Sequence, residues 1–177
     1  MRAGDDAAAR AAVFSVLSVP LLKSLPVADA IYREDTLPHD ARSYARHTLT
    51  LGWEHRLKAR ARRRTDGGAE FATALPRGTV LRQDDLLLLT TTRLVVCIVE
   101  ELEPVLIVRP ETPQAWALYA YQIGNSHQPL MLTGEGLICP DILGMEQVLT
   151  YHGIPFERAE RPFTPVSQLP NHGHVPS

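Results

Sequence analysis

Disulfides, membrane-length apolar runs, strong net charge and recognisable catalytic motifs are all missing from this chain. Two cysteines in 177 residues cannot build a disulfide scaffold. Cys97 and Cys139 both sit in apolar runs, which suits a reducing compartment and predicts a cytoplasmic protein. The longest apolar stretch near the start, Ala11 to Leu22, is broken by Pro20 and falls short of the roughly 20 residues that a membrane span needs. Ala28-Asp29-Ala30 has the small residues of a signal-cleavage site, but Asp5 and Asp6 weaken the positive charge that should precede it, so export is not expected. There is no Gly-rich phosphate loop, no Cys-x-x-Cys, no His-Glu-x-x-His and no nucleophile elbow, and an enzyme is not expected. The formal net charge is only −2.

What is present is uneven. Residues 1–100 carry 15 basic and 12 acidic side chains, whereas residues 101–177 carry 3 and 8. That asymmetry predicts two units with different surfaces. An Ala-rich extension covers residues 1–18 and is expected to be mobile. Residues 19–102 read as a small all-β domain. His47 to Leu51 alternates polar and apolar residues, and Asp66-Gly67-Gly68 is a turn joining strands over 57–65 and 69–75. Leu86 to Leu89 and Arg93 to Val99 are further strands, and Asp84-Asp85 before them reads as a solvated pair.

The pattern changes after Glu103. Val105 to Val108 is a strand, and Thr112 followed by Pro113 opens a helix that Gly124-Asn125 closes. Leu130–Leu132 and Leu137–Cys139 are short strands. Pro140 or Asp141 opens a second helix, with Ile142, Leu143, Met145, Val148 and Leu149 on its apolar face and His152 at its C-terminus. Gly153 stops it, and 154–161 is a last strand. The order β-α-β-β-α-β over 103–163 predicts a ferredoxin-like unit. Pro162 onward reads as Pro-rich and core-poor, and 164–177 as a flexible tail holding His172 and His174. The expected class is α+β.

Two sets of residues carry chemistry. His127 stands in the turn Gly124-Asn125-Ser126-His127-Gln128-Pro129-Leu130, where a loop can hold an imidazole at the surface as a metal ligand, or simply as a surface or helix-capping residue. His172-Gly173-His174 offers two more imidazoles. Cys139 is close enough along the chain to approach a metal but reads as a buried thiol. Arg56, Lys58, Arg60, Arg62 and Arg64 alternate, which would put five cations on one face of one strand. That stripe reads either as a site for an acidic partner or as a charge-blunted edge strand. No aromatic residue interleaves with it, so nucleic acid is not the expected partner.

The combination of Leu75-Pro76-Arg77-Gly78-Thr79-Val80-Leu81 with Tyr119-Ala120-Tyr121-Gln122-Ile123-Gly124-Asn125-Ser126-His127-Gln128-Pro129-Leu130 and a His-bearing tail resembles the urease accessory protein E family, nickel metallochaperones of urease maturation. The resemblance covers residues 20–174. It implies a peptide-binding-like β domain, a ferredoxin-like metal-binding domain that dimerises, and a metal ligand at His127 on the two-fold interface, with His172 and His174 as additional ligands. Ni2+ would be transient cargo, with Zn2+ and Cu2+ as competitors. The implied partners are a second copy, a urease accessory GTPase and the urease apoprotein complex, with no nucleic acid and no membrane. Two features depart from the family pattern. Ser126 stands where many members have Arg, and Cys139-Pro140-Asp141-Ile142-Leu143 lacks the histidines some members carry there. A single interface site is therefore the expectation. A module with no metal, recruiting an acidic partner through the basic stripe, is the alternative.

Overall fold

The structure, a computed structural model, describes residues 24–166. The 1–18 extension, His172 and His174 lie outside the described residues. Two sheets form the N-terminal domain. Strands β1 (Val27–Ala28), β5 (Glu70–Ala74) and β4 (Arg60–Arg64) make one in the order β1-β5-β4; β2 (Ile31–Tyr32), β6 (Leu86–Leu89), β7 (Leu94–Glu100) and β3 (Ala45–Leu51) make the other in the order β2-β6-β7-β3. Leu49, Leu51, Phe71, Leu75, Leu81, Leu87, Leu89, Val96 and Ile98 form the core. Val95, on the opposite face of β7, packs with Leu37, Ala41 and Leu86. With apolar contacts on both faces, β7 reads as a continuous apolar run rather than an alternation.

The hairpin between β4 and β5 turns where the sequence predicts it. Gly68 has φ +88°, and Gly68 N–H donates to Thr65 O at 2.8 Å. Asp66 ties this turn to β3: its carboxylate accepts from the Thr48 hydroxyl at 2.7 Å and from the Thr50 hydroxyl at 2.9 Å. The hydroxyl bond from Thr48 leads the interactions that hold the Asp66 carboxyl below its ordinary pKa.

Between β3 and β4 the expected strand gives way to a single helical turn, α1 (Trp53–Arg56). The alternation that starts at Arg56 is therefore not one strand. Arg56 is fully buried, Lys58 lies in the connection, and only Arg60, Arg62 and Arg64 share a strand face. Asp84-Asp85 also departs from the solvated reading. Asp85 is 2% exposed, pairs with Arg33 at 2.9 Å and accepts from Arg82 N–H at 2.6 Å.

The C-terminal domain runs β8 (Glu103–Val108), α2 (Pro113–Asn125), β9 (Met131–Leu132), β10 (Leu137–Pro140), α3 (Met145–Tyr151) and β11 (Glu157–Arg161). Its sheet has the order β11-β8-β10-β9, with every neighbour antiparallel. The fold class is α+β, a β domain followed by the ferredoxin-like arrangement that the element order predicts. Leu106, Val108, Leu137 and Cys139 pack against Ile123, Met145 and Leu149 of the helices. The opposite sheet face buries Val105, Ile107 and Ile138 against Phe163, with Trp53 packed alongside. Pro162 onward is thus not core-poor at its start, because Phe163 is fully buried.

The second helix starts later than expected. Pro140 belongs to β10, Asp141 N–H donates to Pro104 O at 3.0 Å, and the Asp141 carboxylate pairs with Arg158 at 3.0 Å. A side chain committed to Arg158 does not cap a helix. The cap position is Gly144, at φ +92°, and Leu143 is 99% exposed instead of sitting on an apolar helix face. Gly136 explains the tight turn before β10. A Cβ there would lie 2.2 Å from Val108 O, so only glycine lets the backbones meet.

Candidate metal centre

α2 is built to end at one histidine. Thr112 accepts Ala115 N–H at 3.1 Å through its side chain, and Pro113 occupies the first turn, where its missing N–H costs nothing. At the other end Ser126 closes the helix. Its hydroxyl donates to Gln122 O at 2.9 Å, and its N–H lies between Gln122 O and Ile123 O at 3.3 and 3.2 Å. His127 N–H then donates to Gly124 O at 2.9 Å, with φ +56°. A left-handed residue just past a helix is ordinarily glycine, because a Cβ there costs about 1–2 kcal/mol. Here an imidazole occupies that position.

The His127 side chain is exposed and makes no hydrogen bond among the described residues. The turn therefore sets the direction in which the side chain leaves the backbone, and the ring nitrogens have no partner among the described residues. No group of three or more His, Cys, Asp or Glu side chains among the described residues is arranged to hold a metal ion. Cys139 does not supply the missing ligand. It is fully buried beneath the helices, and burial, reinforced by the Asp141 charge, pushes its thiol up to about 12, so it stays protonated at neutral pH. His152 caps α3 and packs edge-on against Tyr151, with ring centroids 5.0 Å apart.

The strand segment after the turn anchors the end of the described chain. Val166 N–H donates to Leu130 O at 2.7 Å, and Thr164 N–H approaches Met131 Sδ at 3.3 Å. The segment that leads to His172 and His174 is thereby pinned three residues from His127. Nothing in the sequence pattern signals this contact, which rests on a backbone amide and a thioether. The serine that closes α2 was likewise visible only as a departure from a family pattern.

Of the five cations, Arg56 serves structure. Its Nη1 donates to Leu81 O at 3.2 Å, Glu100 Oε1 at 2.8 Å and Thr164 Oγ1 at 2.9 Å, and its Nη2 donates to Phe163 O. Burial lowers its pKa, opposed by Glu100 and Glu103. Trp53, one helical turn away, donates its N–H to Glu103 Oε2 at 2.8 Å and meets Phe163 edge-to-face at 5.6 Å. Arg56 and Trp53 thus clamp the two domains together. Arg63, which the alternation skips, is also buried and donates to His55 O at 2.9 Å and Lys58 O at 2.7 Å.

Fold and turn together define a two-domain α+β protein that presents an exposed imidazole, His127, at a helix end. The family model described as UreE urease accessory protein, N-terminal domain, matches residues 30–100, and the C-terminal domain model of the same family matches residues 103–176. The chain belongs to the UreE urease accessory protein family. It is 36% identical over 127 residues to Urease accessory protein UreE of Burkholderia thailandensis, covering 72% of this chain and 59% of that protein. To the protein of the same name in Cupriavidus necator it is 37% identical over 126 residues, covering 71% of this chain and 65% of that protein. The chain therefore spans about three fifths of the length of these curated relatives. The matched C-terminal region extends past His172 and His174.

Proposed function

We propose that this chain is a metallochaperone that carries Ni2+ and passes it to urease while the active site of that enzyme is assembled. The carrying observation is His127, an exposed imidazole with no partner among the described residues, carried on a left-handed turn at the end of α2. One imidazole holds a divalent ion weakly. A two-fold contact between copies brings the same residue from both subunits to one ion. Leu118 and Tyr121 on the outer face of α2, and Leu132 on β9, are exposed apolar residues on the elements flanking the turn, and they offer surface for that contact. His172 and His174 follow the pinned Val166 by six and eight residues, within roughly 20–30 Å of extended chain. They serve as additional ligands to the same ion.

A shell of imidazoles from two subunits and two tails is open and exchangeable. That suits a carrier that must release its ion, whereas a structural site is closed. Zn2+ and Cu2+ compete for the same nitrogens. The recipient is the urease apoprotein, reached together with the urease accessory GTPase. The chain catalyses no reaction of its own, and its free thiols suit the cytoplasm.

Calorimetric titration of the dimer with Ni2+ tests this reading. His127→Ala removes two ligands per dimer at once and is expected to abolish the tightest site while leaving the melting temperature near that of the unaltered protein. Ending the chain after Leu169 is expected to weaken binding without affecting dimerisation. Equal affinity and stoichiometry in the unaltered and His127→Ala proteins would overturn the assignment.

A further inference from the structure

Arg60, Arg62 and Arg64 are the part of the basic stripe that the fold leaves exposed on one strand, with Lys58 exposed in the connection before it. The three arginines lie on β4, which has β5 on one side and, among the described residues, no ladder partner on the other. Leu75 N–H donates to Ala59 O at 3.0 Å and Thr65 N–H to Ala69 O at 2.9 Å, so the odd-numbered residues turn their backbone toward β5. In an antiparallel pair the alternate residues point the other way. The backbone N–H and C=O of Arg60 and Arg62 therefore face the open edge. The edge closes beyond Arg64, where Asp66 N–H donates to Thr48 O at 2.9 Å.

None of the three guanidinium groups forms an ion pair among the described residues, although Glu70 stands opposite Arg64 in the register. Side chains two apart on a strand are separated by roughly 6.5–7 Å, so the three cations repel one another, and across the β4–β5 ladder only Glu70 opposes them with a carboxylate. Three forked donors on one face, beside a free backbone edge, match an extended segment with carboxylates at every second position.

We propose that the β4 edge binds an acidic, extended segment of a partner protein by strand addition, its backbone pairing with Arg60 and Arg62 and its alternate carboxylates meeting Arg60, Arg62 and Arg64. A peptide fits better than nucleic acid. Unpaired strand amides are what an extended peptide complements, and no aromatic side chain alternates with these arginines to stack a base. This site is separate from the His127 turn and does not rest on the metal reading.

The test uses the full, metal-free chain and a fluorescent eight-residue peptide alternating glutamate and valine. Binding is read by anisotropy, and amide exchange is followed by NMR. The peptide is expected to slow exchange at the Arg60 and Arg62 amides by at least about tenfold, in line with new backbone hydrogen bonds. The variant R60Q/R62Q/R64Q is expected to bind at least about tenfold more weakly. Arg62→Pro, which removes one outward amide and keeps two arginines, is expected to weaken binding as well, since an edge position tolerates proline. Absence of peptide binding, unchanged exchange at β4, binding by either variant as tight as by the unaltered chain, or tighter binding of an eight-nucleotide oligo-dT than of the peptide would each overturn the proposal.

Discussion

Arg56 and His127 are each placed by the end of a helix, and their surroundings are opposite. Arg56, at the end of the single turn α1, is fully buried and meets four oxygen acceptors drawn from Leu81, Glu100, Phe163 and Thr164. His127, just past α2, is exposed, and its ring meets none. Both side chains are polar and each follows a helix, so neither residue type nor local structure separates them. Where the chain returns does. The segment 163–166 folds back and covers Arg56, while the same segment passes beside Leu130 and leaves the His127 ring open. A polar side chain whose valences are filled by its own chain holds the fold together. One that is carried on a fixed backbone turn and left unfilled is available for an outside ligand.

The sharpest way to break this contrast is to remove Arg56. Arg56→Ala leaves the Glu100 carboxylate and two backbone carbonyls without their donor at the domain junction. A buried ion pair that loses one partner costs about 3–5 kcal/mol, so a large drop in the melting temperature is expected. Adding Glu100→Gln to Arg56→Ala is expected to restore part of the loss, because the uncompensated charge is removed. A loss under about 1 kcal/mol would show that Arg56 is only a surface cation that happens to be covered.

The element types were legible because local rules and tertiary packing agree in most of this chain. Thr112-Pro113 starts α2 as capping chemistry dictates, and Asp66-Gly67-Gly68 turns the β4–β5 hairpin. The ferredoxin-like order followed from the periodicity switching between two and 3.6. Failures came where a distant partner overrode the local pattern. Arg56 fits a strand alternation, but buried acceptors up to 108 positions away pull it into a helical turn. Asp141 has the chemistry of a cap, but Arg158 takes its carboxylate and delays α3 to Met145. At the site, the position of His127 just past a helix was readable, although Gly124 and Asn125, expected to stop the helix, belong to α2 and Ser126 closes it. The left-handed backbone of His127 and the anchoring of Val166 to Leu130 were not, since both depend on how the chain closes in space.

A smaller effect sharpens the other side of the comparison. If the turn holds His127 for a ligand at the expense of stability, His127→Gly should relieve the left-handed backbone and raise stability by up to about 1 kcal/mol. His127→Ala keeps the Cβ and is expected to stay within about 0.5 kcal/mol of the unaltered protein. Thermal denaturation of the metal-free proteins separates the two. A glycine variant no more stable than the alanine variant would mean that the left-handed backbone costs nothing here, and an alanine variant well below the unaltered protein would mean that the imidazole makes a stabilising contact.

The smallest effect lies back at the junction, in the pH response of Glu103. Its carboxylate accepts Trp53 N–H at 2.8 Å, but burial raises its pKa above the ordinary carboxylate value more than that bond and Arg56 lower it. A carboxyl with a raised folded-state pKa binds its proton more tightly in the native protein than in the unfolded chain. Its contribution to stability is therefore fully present below the unfolded value, about 4.3, and is lost as pH rises through the folded value. Glu103→Gln imitates the protonated form and keeps an oxygen for Trp53 N–H. The variant should melt slightly above the unaltered protein at neutral pH, and the difference should shrink as both are acidified toward pH 4. This separates two kinds of junction. If Glu103 is a charge that Arg56 needs, the glutamine variant will melt lower at neutral pH, and the gap will close on acidification from the other side. If the junction depends on Glu103 mainly as an acceptor for Trp53, the neutral amide serves it at least as well as the carboxylate.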